Sequence, residues 1–266
     1  MAWPVEIEAQ LRREAAELDL FDASAWLGRT PAFPLMAEGT PELIADLHRR
    51  VGINGVLLSH WNAAEDCSQE PNQQLLQAVA GRDNWYAALA MQPLFPADPG
   101  VPAVNGADWS RKARAVRVFP ASWHYALVDW CVGSLCEMLI EKRLPLFVLH
   151  TETTFQDLYD LAQRYPELVI VVEGQAQKIL YHTRMVLPLM KACPNLHLEM
   201  SNYCTQGLIA YTVNELGAER LIFASFAPAR DPLVPLGLLL QADITTEAKR
   251  AIAGANIRRM ISEVRP

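Results

Sequence analysis

Apolar and polar positions fall into blocks along this chain, and the clearest blocks lie at residues 144–174, LPLFVLHTETTFQDLYDLAQRYPELVIVVEG. Leu144–Leu149 is an unbroken, β-rich apolar run that turns polar at His150, Thr151 and Glu152. Thr153 and Thr154 offer a helix N-cap, and Phe155, Leu158, Leu161 and Ala162 follow at helical spacing. Tyr165-Pro166 ends that helix, and Leu168–Val172 is a second apolar run that stops at Glu173-Gly174. Two buried strands joined by a helix predict a parallel pair with a right-handed crossover. Each strand becomes polar only at its carboxyl end, where α/β folds place their sites.

The same alternation runs through the rest of the chain. Asp19–Asp22 leads into Ala23–Gly28 as strand 1, and Thr40-Pro41-Glu42 starts a helix to about Arg50. Gly52–Ser59 is strand 2, ending at His60; Pro71 starts a helix through Val79 that Gly81 closes. Trp85–Met91 is strand 3, and residues 94–109 carry several prolines and glycines, which makes them a candidate lid. Ala113–Phe119 is strand 4, with a helix to about Lys142; a helix over 176–192 leads to Asn195–Ser201, strand 7. A helix over 206–216 precedes Arg220–Ser225, strand 8, and residues 231–242 and 245–262 read as terminal helices. Eight strands alternating with helices in one domain of this length predict a (β/α)8 TIM barrel, with residues 1–18 as a surface helix and 231–266 as C-terminal helices.

Composition narrows the function classes. A net charge of −7, with no basic patch carrying interleaved aromatics, argues against nucleic acid as a partner. No apolar run is long enough to span a membrane, and the charged N-terminus reads as an amphipathic helix rather than a signal peptide. The five cysteines are scattered, so reduced thiols in a cytoplasmic protein are expected, not disulfides or zinc ligands. No Gly-rich phosphate loop follows any strand. The expected partner is a small molecule, and a homo-oligomer is expected.

Several stretches, in this order, resemble the amidohydrolase-related (amidohydrolase family 2) TIM barrels. These are FDASAWLG, VGINGVLL, AVRVFP, LPLFVLHT, RYPELVIVVEG, PNLHLEMSNY, LIFASFAP and the closing GANIRRM. The resemblance covers nearly the whole chain and implies a metal-dependent-hydrolase-like fold, in the branch that includes acyclic decarboxylases and a lactonase of dicarboxylate pyrones. It also implies where the family's metal centre would fall. The first-strand histidines fall on Ser24 and Trp26, the sixth-strand histidine on Glu173, and the eighth-strand aspartate on Phe226; only the fifth-strand histidine matches, as His150. One matching ligand does not make a zinc site, which needs three or more, and no cofactor is expected on that pattern.

Strand alternation selects the residues that face the barrel interior. It puts Leu146, Val148 and His150 inward on strand 5, Val169, Val171 and Glu173 on strand 6, and His197, Glu199 and Ser201 on strand 7; Arg117 faces in with Phe119 on strand 4. One reading makes His150, Glu173 and Glu199 catalytic, with proton transfer at His150 and a substrate carboxylate held by Arg117, in a hydrolase or lyase acting on a small, carboxylated molecule. His60, Trp26, Phe226 and Ser24 would line its pocket. A second reading is an internal salt-bridge network in a non-catalytic ligand- or partner-binding barrel. A third rebuilds a divalent-metal site from His150, Glu173 and Glu199, with His60 as a fourth ligand. His48 and His182 are expected at the surface, His197 as a hydrogen-bonded core histidine, and Arg230-Asp231 as a local ion pair.

Overall fold

The computed structural model describes residues 5–30, 37–65, 69–93, 111–174 and 183–265; the candidate lid, His182 and Cys67 lie outside them. Eight strands follow one another in a single parallel sheet: β1 Phe21–Leu27, β2 Gly55–His60, β3 Trp85–Ala90, β4 Ala113–Val118, β5 Leu146–Leu149, β6 Ile170–Glu173, β7 Leu196–Glu199 and β8 Leu221–Ile222. Backbone hydrogen bonds from Ala23 to Phe223, Phe226 to Ser24 and Trp26 to Ala227 join the last strand to the first, at 3.0, 2.8 and 2.8 Å. The sheet is therefore a TIM barrel. Helices α1 Val5–Ala15, α2 Pro41–Val51, α3 Gln69–Val79, α4 Asp129–Lys142, α5 Phe155–Arg164, α6 Thr183–Ala192, α7 Leu208–Leu216 and α8 Leu233–Leu240 accompany it.

Local chemistry sets the helix ends where the sequence places them. Thr40 Oγ1 accepts from the Leu43 N–H at 3.2 Å ahead of Pro41, and Gly52 closes α2 at φ +81°. Of the two threonines before α5, Thr154 is the cap, accepting from Asp157 N–H at 3.0 Å. The last helical run is α9 Thr246–Arg250, a π-turn Ala251–Ala255 and α10 Asn256–Ser262. Ile257, Met260 and Ile261 of α10 pack against Phe21, Leu57, Phe147 and Val171, so α10 covers the amino-terminal end of the barrel. The GANIRRM stretch is explained by this docking. A Cβ on Gly254 would meet the Asp19 carbonyl oxygen at 2.3 Å, and Asn256 Nδ2 donates to the Leu221 and Ala218 carbonyls at 2.9 and 2.8 Å.

Two details of side-chain direction differ from simple alternation. Strand β1 runs to Leu27, well past Asp22, and its pairing with β2 shifts between Asp22 and Ala25. The irregularity sends Phe21 and Ala23 inward, then Ala25 and Leu27 outward, so Trp26 points into the barrel. On β5 it is Phe147 and Leu149 that face in, while Leu146 and Val148 pack under the helices. The reason is register: Phe147 lies beside Arg117 and Val171, and Leu149 beside Glu173, and neighbours in a ladder share a face.

Candidate functional site

The carboxyl end of the barrel is organised around one cation, the guanidinium of Arg117 on β4. Its Nη1 and Nη2 both donate to the Glu173 carboxylate on β6, the second at 2.9 Å, and its Nε donates to Ser59 Oγ on β2 at 2.7 Å. Trp26 covers the guanidinium at 4.2 Å from its ring centre, with Phe147 5.5 Å away on the interior side. Arg117 is 1% exposed and Glu173 0%. Burial pulls the guanidinium down, to about 9, and the Glu199 charge opposes that pull, so Arg117 stays cationic at neutral pH. A bidentate pair with a third bond and an aromatic lid is a strong arrangement for a buried charge.

Above this pair the interior is aromatic. Trp26 stacks on Trp61 at 3.9 Å between ring centres, and Phe226 meets both edge-on at 6.2 and 5.4 Å. Phe119 and Trp123 continue the cluster at 5.6 Å, so the loop after β4 packs onto the mouth. Phe226 adopts a left-handed backbone, φ +61°, held by its N–H bond to the Ser24 carbonyl. Ser24 Oγ accepts from Trp26 Nε1 at 3.0 Å and so orients that ring.

Glu199, at the end of β7, accepts three hydrogen bonds, two of them from backbone N–H groups. Oε1 accepts from Gly174 N–H at 2.9 Å and Ser201 Oγ–H at 3.1 Å, and Oε2 from Ser201 N–H at 2.8 Å. Burial raises its carboxyl, against these three bonds and the charge of Arg230. Arg230 itself lies over Phe226 and donates to the Ser201 carbonyl at 3.3 Å; Asp231 instead pairs with Arg50 and caps α8 through Leu233 N–H. The local Arg230-Asp231 pair expected from the sequence does not form.

The proposed site residues therefore divide. Arg117, Glu173 and Trp26 are brought together, with Phe226 and Ser24 one contact further out. His150 leaves β5 on the side opposite Leu149; its Nδ1 lies 3.1 Å from the Glu173 carbonyl oxygen, not the carboxylate, and its ring stacks on Phe155. His60 turns away from the interior. Its Nδ1 accepts from Asn62 N–H at 3.2 Å, and it lines a separate cavity of about 740 Å3 with Gly28, Thr40 and Gln74. Burial lowers the His60 imidazole, opposed by its bond to Gln74 and by the Glu38 and Glu70 charges.

Ser59 and Trp61 were the residues alternation on β2 could have revealed, since both follow inward Leu57 at two-residue spacing. A second network was signalled only by an acid inside an apolar strand. Asp22 accepts from Ser24 and Ser225 N–H at 3.0 and 2.8 Å, from Ser225 Oγ–H, and bonds His48 Nε2 at 2.9 Å. His48 is thus buried beneath α2, not at the surface, because its helix turns it onto the β1–β8 seam. Burial pushes the Asp22 carboxyl up, but His48 and Ser225 outweigh it and hold it below the ordinary range.

The donor set does not fit the metal centre that the family pattern implies. Trp26 and Phe226 offer no ligand atom, Ser24 Oγ is engaged by Trp26, and the Glu173 carboxylate is neutralised by Arg117. His150, Glu173 and Glu199 point to a carbonyl, a guanidinium and two backbone amides. Among the described residues, no group of three or more His, Cys, Asp or Glu side chains is placed to hold a metal ion. The described cysteines, Cys131, Cys136, Cys193 and Cys204, form no disulfide, and no described helix is long and apolar enough to cross a membrane.

Comparison with known proteins agrees with this architecture. A sequence model of the Amidohydrolase family matches residues 32–262. No curated protein matches the chain. Among solved structures, 5-carboxyvanillate decarboxylase LigW from Sphingomonas paucimobilis superposes with a TM-score of 0.74 at 13% identity, covering 92% of this chain and 99% of that one. 4-Oxalomesaconate hydratase LigJ from Rhodopseudomonas palustris gives 0.67 at 15% identity, over 92% and 96%. A 5-carboxyvanillate decarboxylase from Novosphingobium aromaticivorans, complexed with manganese and 4-hydroxy-3-methoxy-5-nitrobenzoic acid, gives 0.71 at 12%, over 92% and 96%.

Proposed function

Because the chain belongs to the amidohydrolase family, we propose that it is a member whose barrel centre has become a structural core, leaving a non-catalytic, ligand- or partner-binding barrel. One observation carries this reading: Arg117, Glu173, Ser59 and Trp26 form a buried, mutually bonded network at the strand ends. Arg117 cannot turn to a substrate carboxylate without giving up its two bonds to the buried Glu173 carboxylate, and breaking a buried pair costs about 3–5 kcal/mol. Glu199 cannot serve as a base without abandoning three hydrogen bonds. The guanidinium supplies the centre's positive charge, and Trp26, Trp61 and Phe226 fill the space above it.

The test is metal content and turnover of protein purified without chelator or affinity tag. The expected outcome is no stoichiometric divalent ion and no turnover on a panel of small carboxylates and lactones. A near-stoichiometric ion that disappears in Glu173→Gln would overturn the reading, as would turnover.

A second reading, a metal-independent hydrolase or lyase acting on a small carboxylated molecule, draws on His150. That residue ends β5 with its ring fixed by the Glu173 carbonyl and Phe155, and structurally similar proteins include decarboxylases and a hydratase. There His150 would move the proton and Glu173 or Glu199 would assist. Turnover lost in a folded His150→Ala variant supports it; turnover unchanged by that substitution removes His150 from the mechanism.

A further inference from the structure

On the helical outside of the barrel, between α1, α7 and α8, lies a groove of about 590 Å3. Leu11 of α1, Ile209 and Ala210 of α7, and Val234, Gly237 and Leu238 of α8 line it. Tyr203, after β7, borders it with its hydroxyl already bonded to Thr212 at 2.7 Å. Helix α8, Leu-Val-Pro-Leu-Gly-Leu-Leu-Leu, has no charged residue. A helix that is apolar on every side is normally covered on every side. Here Leu233, Leu236 and Leu239 are buried, yet Val234 is 42% exposed.

Gly237 interrupts this leucine-rich helix at its middle, where glycine is a poor helix former. A glycine there ordinarily lets a neighbour approach closely. Among the described residues, a Cβ added to Gly237 would meet nothing within 4 Å beyond its own helix. No described neighbour takes the space of the missing side chain; that space belongs to the groove. Charge then selects the occupant. Among the described residues the lining holds one charged side chain, Asp243, and no cation. A carboxylate, sulfonate or phosphate would meet an acid and no counter-charge. Walls on three helices make the surface concave, and its volume is that of a small-molecule pocket.

We propose that this groove binds an uncharged, largely hydrocarbon small molecule, its body against Ile209, Val234 and Leu238 and over Gly237. The site lies among the outer helices and is independent of what the Arg117 cluster does. The test uses the full chain and two probes with the same rings: N-phenyl-1-naphthylamine, which is uncharged, and 1-anilinonaphthalene-8-sulfonate, which adds an anion. Calorimetry measures the first directly and the second by its displacement of the first. Sedimentation velocity reports the mass of the natural chain and of each variant.

The uncharged probe is expected to bind once per chain and about tenfold tighter than the sulfonate. Gly237→Leu, which fills the groove, should weaken the uncharged probe about tenfold or more without lowering the melting temperature. Asp243→Lys, on the exposed rim, should strengthen the sulfonate and leave the uncharged probe unaffected. Equal affinity for the two probes, no binding of the uncharged one, binding that Gly237→Leu does not change, or a ratio that Asp243→Lys does not change overturns the proposal. So does a dimer that Gly237→Leu dissociates, because a second copy would then fill the groove. If Gly237→Leu fails to fold, the probe pair and Asp243→Lys still decide. Turnover is not among the readouts, so failure here leaves the reading of the barrel centre standing.

Discussion

At the carboxyl end of the barrel, Arg117 gives its donors to Glu173 and Ser59 and its face to Trp26; at the amino end, His197 gives one ring nitrogen to Glu219 and lines a cavity with the rest. Both groups are buried in one barrel, yet they carry opposite consequences. A charge whose partners are all internal makes the core specific and leaves little for a ligand. An acceptor that reaches solvent, as His197 Nε2 does, is satisfied by water and makes no such demand on the core.

The sharpest way to break this contrast is to open the closed end. Arg117→Met removes both bonds from the guanidinium to the buried Glu173 carboxylate and is expected to cost about 3–5 kcal/mol in urea unfolding. Arg117→Met combined with Glu173→Leu should recover most of that loss, because the buried carboxylate is removed along with the guanidinium. A single variant that costs under about 1 kcal/mol would mean that water or another cation already reaches the pair.

A smaller effect is expected at the seam. Asp22→Asn puts an amide where Ser225 and Ser24 donate, at about 2–3 kcal/mol near neutral pH. The Asp22 carboxyl sits below its ordinary value of 3.8, so its contribution is present above that value and lost as pH falls through the folded-state value. The gap between the natural chain and Asp22→Asn should therefore narrow on acidification. A gap that does not change with pH would assign the cost to shape rather than charge.

The smallest expected effect is that of Trp26→Phe, about 1 kcal/mol, from a weaker face over Arg117 and loss of the Nε1 bond to Ser24. Its tryptophan fluorescence change would report the stacked Trp26–Trp61 pair. A loss as large as that of Arg117→Met would show that the aromatic lid, not the ion pair, holds the centre together.

Much of this was legible in the chain. Apolar runs ending in polar residues located all eight strands, and caps such as Thr40-Pro41 and Thr154 located helices. The inward direction of Arg117 and Glu173 followed from alternation. His150 did not, because an apolar run buried on both faces does not reveal its parity: register puts Phe147 and Leu149 inward, and alternation then sends His150 outward. Trp26 became an interior residue through the irregularity after Asp22, which no local pattern announces. His48 sits 26 residues from the acid it bonds, and a helical histidine shows no such partner in sequence.

The sequence by itself determined the barrel, the order of its elements and the replacement of the family's ligand positions by Ser24, Trp26, Glu173 and Phe226, because periodicity, capping and residue identity are local properties. Only the tertiary structure decided which polar groups meet. Glu173 pairs with Arg117 across 56 residues, Asp22 joins Ser225 across 203, and His197 turns to Glu219 and an open cavity. Those outcomes depend on register and on one shifted strand, and closure of the barrel fixes both together.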